Sequence, residues 1–206
     1  MNHSELFENI VKKRSFLCVG LDSELEKIPS FLLKEKDPVF EFNKKIVDAT
    51  HKYTVAYKPN IAFYEAAQDG LVGLLQLKKT IDHIRQNYPE IPTILDAKNA
   101  DIGNTNEGYV SFAFDYLKAD AITLHPYLGR EALSPFLNRK DKGLFILCRT
   151  SNPGAGEFQD LNVDSGLPAG EAGSQQIKLY QHVAGKVAKE WNYNNNCGLV
   201  VGAPSL

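Results

Sequence analysis

Two short stretches place ionisable side chains where the chain otherwise runs apolar. In Ile94-Leu95-Asp96-Ala97-Lys98-Asn99-Ala100-Asp101-Ile102-Gly103-Asn104-Thr105, a strand-like run is interrupted by Asp96 and Lys98 and followed by Asp101. In Tyr57-Lys58-Pro59-Asn60 a second run ends on Lys58. Side chains of a strand alternate, so Asp96 and Lys98 share one face and Asp101 falls in the loop beyond. Two lysines and two carboxylates meeting at one rim form an alternating array of zero net charge. Burying such charges unpaired is costly, so they are expected to pair. Charged groups fixed in this way at the end of a barrel strand stand at the catalytic rim. The competing reading, a solvated strand end with surface salt bridges, is disfavoured by the apolar residues on either side. Asp96 and Asp101 could in principle also hold a magnesium ion.

Weaker candidates end other strand-like runs. Asp22 follows Val19-Gly20-Leu21 and suits either a turn cap or a ligand contact. Thr150-Ser151-Asn152-Pro153-Gly154 suits a plain turn or a hydrogen-bonding rim. His125-Pro126-Tyr127 offers a histidine that is structural or catalytic.

These residues need elements to position them. Strands are predicted over 15–21, 54–58, 93–97, 121–125, 144–149 and 198–202, several of them continuously apolar, as parallel strands covered on both faces are. Helical periodicity lies between them, over the stretch from Phe40 to Ala49 and over 71–88, 106–117 and 175–191. In the first of these, Phe40, Lys44 and Val47 lie on one side and Phe42, Ile46 and Ala49 on another. Strands alternating with helices predict a parallel α/β sheet or barrel. The segment from Gly154 to Gln176 lacks periodicity and reads as a mobile loop, its later part a lid or an insertion.

Composition excludes several functions. The 206 residues carry 23 Lys+Arg against 25 Asp+Glu, a formal net charge of −2. No cation excess is available to neutralise a phosphate backbone, so nucleic acid is not an expected partner. Hydrophobic residues at 43% and charged residues at 23% are those of a globular chain. No apolar run approaches the ~20 residues of a membrane span, and no signal-peptide pattern opens the chain. The expectation is a soluble, cytoplasmic protein with no membrane partner. Cys18, Cys148 and Cys197 each lie alone in an apolar run and read as unpaired buried thiols. Walker A, Gly-x-Gly-x-x-Gly and Gly-x-Ser-x-Gly patterns do not occur, which argues against NTP hydrolysis, dinucleotide chemistry and serine hydrolysis.

Asp96, Lys98, Asp101 and Ile102 match the Asp-x-Lys-x-x-Asp-Ile signature of the orotidine 5′-phosphate decarboxylase family, which this sequence resembles. The resemblance continues through Val19-Gly-Leu-Asp22, Ala56-Tyr-Lys58-Pro-Asn60, Leu124-His-Pro-Tyr-Leu-Gly129, Arg149-Thr-Ser151-Asn-Pro-Gly154 and Gly198-Leu-Val-Val-Gly202. It implies a (β/α)8 TIM barrel that decarboxylates orotidine 5′-phosphate to uridine 5′-phosphate in pyrimidine biosynthesis, with no cofactor and no metal. It further implies that Lys98, Asp96, Lys58 and Asp101 are catalytic, Lys98 protonating C6 and Asp96 standing by the departing carboxylate. Lys58 would hold Asp96 and the ribose hydroxyls, with Asp22 on the ribose, Ser151 on the pyrimidine, and Asn60, Ile102 and Thr105 among the binding residues. Asp101, Ile102 and Thr105 would complete the neighbouring site of a homodimer.

Six strands are read where the resemblance implies eight. Residues 1–206 are therefore expected to be a single barrel domain lacking its last two β/α units, about 60 residues short of the ~250 typical of this barrel. The phosphate-binding Pro-Gly-x-Gly segment and late Arg that the resemblance implies have no counterpart after Val201. Two rivals stand beside this reading. One is a metal-dependent sugar-phosphate decarboxylase or aldolase, although such relatives carry Gly where Ile102 stands and lack Lys58-Pro59-Asn60. The other is a non-catalytic barrel acting as a binding partner.

Overall fold

The computed structural model describes residues 3–67, 70–164 and 176–203. Among them, parallel strands β1 (Leu17–Gly20) and β2 (Thr54–Lys58) pair with each other. Bridges Tyr57–Thr93 and Asn60–Asp96 join β2 to β3 (Ile94–Asn99). The order continues through β4 (Ala121–Leu124) and β5 (Gly143–Arg149) and ends on β8 (Cys197–Val201), every pairing parallel. Helices return the chain between strands, as a parallel order requires. They include α2 (Pro38–Thr50), α3 (Ile61–Glu65), α4 (Gly70–Asn87), α5 (Gly103–Val110) with a π-helical continuation to Tyr116, and α9 (Leu179–Lys186). Between β4 and β5 run the short α6 (Gly129–Ala132) and α7 (Ser134–Leu137).

The strands divide their side chains between two layers. Leu95, Ile122, Leu124, Leu144 and Ile146 pack outward against Leu77 and Ile81 of α4, Val110 of α5, Phe114, Leu117 and Phe136. On the other face, Ala56, Ile94, Ala121 and half-buried Phe145 meet as an apolar layer. Lys58, Asp96 and Thr123 stand two residues further along β2, β3 and β4. The alternation that buries the apolar layer therefore sets these polar groups together on the same face, toward the strands' C-terminal ends.

Buried polar pins fix the helices. Gln76 Oε1 accepts from the Val39 and Phe40 amides at 3.0 and 3.2 Å, satisfying free donors at the start of α2. Asn43 Oδ1 accepts from the Ser23 hydroxyl and its Nδ2 donates to Tyr64 Oη, at 2.6 and 2.9 Å. Tyr64 Oη donates to the Leu21 carbonyl at 2.9 Å. The buried stripe of α2 is thus Val39, Asn43 and Val47, whereas Phe40, Phe42 and Lys44 are half-buried.

Other expectations are corrected. Helix α1 (His3–Lys13) was not read; its Asn9 Nδ2 donates to the Val55 and Glu90 carbonyls at 3.3 and 2.8 Å, tying it to β2 and to the turn before β3. The stretch after β5 is not uniformly loop. It carries α8 (Gly156–Gln159) and an antiparallel hairpin of β6 (Asn162–Asp164) with β7 (Gln176–Lys178). The helix predicted from residue 175 begins only at Leu179, because β7 precedes it; residues 165–175 of the predicted loop lie outside the described residues. All three cysteines are free, but only Cys148 is buried; Cys18, on end strand β1, is exposed.

Candidate active site

Asp96 is the centre of the polar layer and is 6% exposed. Its Oδ2 accepts from Lys58 Nζ at 2.9 Å, and its Oδ1 accepts from Lys98 Nζ at 2.7 Å and from the Thr123 hydroxyl at 2.8 Å. Thr123 Oγ1 in turn accepts the Lys98 amide at 2.9 Å. Burial alone would raise the Asp96 pKa, but the bonds from Lys58, Lys98 and Thr123 outweigh it and hold the carboxyl below its usual range. Burial pulls Lys58 the other way, toward neutrality. The bond and charge of Asp96, together with the charge of Asp22, more than offset this and raise the Lys58 pKa.

The strand does not stay regular through this centre. The register of β3 against β4 shifts between Leu95 and Asn99, and Lys98 has φ +50°. Left-handed backbone costs a residue with a side chain about 1–2 kcal/mol, and such strain collects at functional sites. The Thr123 bond to the Lys98 amide offsets part of it.

A cavity of about 860 Å³ opens beside the centre, lined by Asp96, Lys98, Asn60, Thr105, Glu65 and Tyr109 among others. Asn60 also caps α3, its Oδ1 accepting the Ala62 amide at 3.2 Å. Asp22 lines a neighbouring cavity with Gly20 and Ser23. Asp101 is not part of the array. Its Oδ1 accepts the Ile102 amide at 2.7 Å, and Asn106 grips its backbone on both sides, Oδ1 accepting from Asp101 N at 2.9 Å and Nδ2 donating to Asp101 O at 2.6 Å. Ile102 is 62% exposed on the same loop. Within this chain one carboxylate, Asp96, serves both lysines, and Asp101 stands apart from them. Ser151 is exposed beyond the end of β5 and is not joined to the lysines.

Sequence reasoning missed Thr123, although its place two residues after Ala121 repeats that of Asp96 after Ile94. It also missed Gln159 and Asp160, which bond the strand end beside Ser151. Among the described residues no group of three His, Cys, Asp or Glu is placed to hold a metal ion, and no helix is long and apolar enough to cross a membrane.

Residues 15–201 match the sequence profile of the orotidine 5′-phosphate decarboxylase / HUMPS family. The orotidine 5′-phosphate decarboxylase of Christiangramia forsetii is 49% identical over 203 residues, which are 98% of this chain and 70% of the relative. That of Herpetosiphon aurantiacus is 50% identical over 190 residues, 92% of this chain and 66% of the relative. Among solved structures, Leishmania donovani OMP decarboxylase superposes with a TM-score of 0.80 at 37% identity, covering 100% of this chain and 72% of that one. Leishmania donovani UMP synthase gives a TM-score of 0.82 at 39% identity, covering 100% of this chain and 40% of that one. The parallel order of β1 to β5 and β8 is accordingly that of a TIM barrel.

Proposed function

Because this chain belongs to the orotidine 5′-phosphate decarboxylase family, carboxy-lyases of pyrimidine biosynthesis that yield uridine 5′-phosphate, we propose that Lys98 protonates C6 of the pyrimidine as carbon dioxide departs. The C6–carboxylate bond breaks and its electron pair stays on C6, where no conjugated carbonyl can take the charge. Electrostatic stabilisation must then come from the protein, and a fixed ammonium supplies it. The same Lys98 Nζ–H gives its proton to C6 and is reprotonated from solvent, so one residue serves both needs.

The observation that carries this reading is the grip of one buried carboxylate on both lysines, at 2.7 Å for Lys98 and 2.9 Å for Lys58. Asp96 holds the Lys98 ammonium in place at 2.7 Å and stands against the departing carboxylate. Lys58, held protonated by Asp96 and Asp22, bonds the ribose hydroxyls with Asp22 and Asn60. Ser151 meets the pyrimidine. Asp101 and Ile102, on the loop before α5, and Thr105, in its first turn, complete the site of a second copy, which makes the working form a homodimer, and residues 1–206 are read as one barrel domain. No metal or cofactor enters these steps.

The test is conversion of orotidine 5′-phosphate followed by absorbance, with a chelator present. Lys98→Ala is expected to lower kcat by about 10⁴-fold or more, combining lost electrostatic and proton-transfer contributions. Binding of uridine 5′-phosphate should change little. Normal turnover by the variant would overturn the assignment of Lys98. Loss of wild-type activity to the chelator, restored by magnesium, would favour a metal-dependent relative instead.

A further inference from the structure

The end of β5 carries a second polar network that none of these steps uses. Arg149, the last residue of β5, donates from Nε and Nη2 to Asp160 Oδ1 and Oδ2 at 2.8 and 2.9 Å, a two-pronged fork of the strong charge-assisted kind. Its Nη1 donates to the Thr150 carbonyl at 2.5 Å. Gln159, which ends α8, accepts the Thr150 amide at 2.8 Å through Oε1 and donates to Thr150 Oγ1 at 2.9 Å through Nε2. Thr150 Oγ1 donates onward to Asn152 Oδ1 at 2.6 Å. Every polar group of Thr150 is thereby held, and the network reaches across Ser151 to Asn152.

The far side is closed by β8. Gly202 N donates to the Arg149 carbonyl at 2.6 Å. A Cβ at Gly202 would stand 2.8 Å from Ser151 Cβ and 2.9 Å from its Cα and N. Ser151 therefore sits between a pinned neighbour and a backbone in close contact, while the residue itself remains exposed. A hydroxyl presented from a backbone this constrained loses little freedom when it meets a ligand, which is how preorganisation adds affinity.

We propose that Gln159 and Asp160 are positioning residues that fix Ser151 against the pyrimidine ring of the substrate. The proposal rests on the reading that Ser151 meets that ring. The carbonyl oxygens and ring N–H of the base are the groups such a hydroxyl would recognise.

The test compares Gln159→Ala, Gln159→Glu, Ser151→Ala and the Gln159→Ala/Ser151→Ala double variant in the full chain. Gln159→Ala should lower kcat/KM for orotidine 5′-phosphate about tenfold, as expected for a misplaced contact. It should weaken uridine 5′-phosphate binding and leave binding of ribose 5-phosphate, which has no base, unchanged. Gln159→Glu keeps the acceptor for the Thr150 amide but loses the donor to Thr150 Oγ1, and should restore activity in part. The double variant should fall no lower than Ser151→Ala alone, because Gln159 acts through Ser151. Fully additive losses, or equal weakening of the two ligands, would overturn the proposal. Amide exchange at Thr150, which needs no turnover, separates the two levels of failure. If it does not quicken in Gln159→Ala, the clamp itself is wrong. If it quickens while Ser151→Ala costs no activity, the clamp is real but the role given to Ser151 is wrong, and with it the positioning role.

Discussion

Replacing Thr123 by valine removes one hydroxyl and nearly no volume, so its consequences can be worked from two bonds. The hydroxyl donates to Asp96 Oδ1 at 2.8 Å and accepts the Lys98 amide at 2.9 Å, at a residue only 4% exposed. A hydrogen bond to a charged partner contributes about 1.5–3 kcal/mol and a neutral one about 1 kcal/mol. Thr123→Val should therefore destabilise the fold by about 2–4 kcal/mol, a fall in Tm of about 5–15 °C for a chain of this size. Asp96 also loses one of the three donors that depress its pKa. The Lys98 amide, strained at φ +50°, loses its partner as well. A shift of Lys98 on the order of 1 Å would cost up to about 100-fold in kcat. Urea unfolding measures the first effect as a lower midpoint at unchanged m, and decarboxylation of orotidine 5′-phosphate measures the second. Thr123→Ser, which keeps the hydroxyl and gives up a methyl, is the control and should lose only about 1 kcal/mol. A valine variant as stable and active as wild type, or a serine variant equally damaged, would refute the reasoning.

Two further perturbations test the centre and its support. Since the folded pKa of Asp96 lies below its unfolded value of about 3.9, its stabilisation is complete above that pH and is lost as pH falls through the folded value. Asp96→Asn should lose about 3 kcal/mol at neutral pH, because two ammonium groups then face each other without their anion, and its urea midpoint should vary less than that of wild type below about pH 4. An equally steep acid dependence in the variant would assign that dependence to other carboxyls. At Gly73 a Cβ would stand 1.7 Å from the Tyr64 carbonyl oxygen, so Gly73→Ala must separate α3 from α4. It should cost about 3 kcal/mol or more, read by thermal unfolding. Gly185→Ala, where a Cβ meets nothing within 4 Å, should be neutral or slightly stabilising.

The strands were legible because a parallel strand is covered on both faces, and an apolar run bounded by turns has few other fates. For β2 the predicted and observed limits coincide at Thr54 and Lys58, where Pro59 ends the run. What escaped was structure without a periodic signature. Each strand of the β6–β7 hairpin is three residues long, too short to show alternation. Asn43 is polar on a buried stripe, so a reading of apolar spacing in α2 set Phe40, Lys44 and Val47 on one side and Phe42, Ile46 and Ala49 on another, and left Asn43 out. Gln159 and Asp160 lie in a polar stretch where nothing distinguishes a residue that grips a strand end from one that faces water.

The site follows a sharper rule. Ala56, Ile94 and Ala121 form one layer. The residues two further along are Lys58, Asp96 and Thr123, and they form the next. The charges were conspicuous in the sequence and the threonine was not, yet parity along three neighbouring strands places all three groups by the same argument. Parity alone does not place Lys98. In a regular strand it would be a further rung of the same face, but the register shift after Leu95 and the left-handed backbone at Lys98 break the ladder at that rung. Its ammonium nonetheless reaches the same carboxylate as Lys58, and its amide is held by Thr123. The residue assigned to the chemistry is therefore the one at which the strand stops being regular, and a single threonine on the adjacent strand binds both the displaced amide and the carboxylate that its side chain meets.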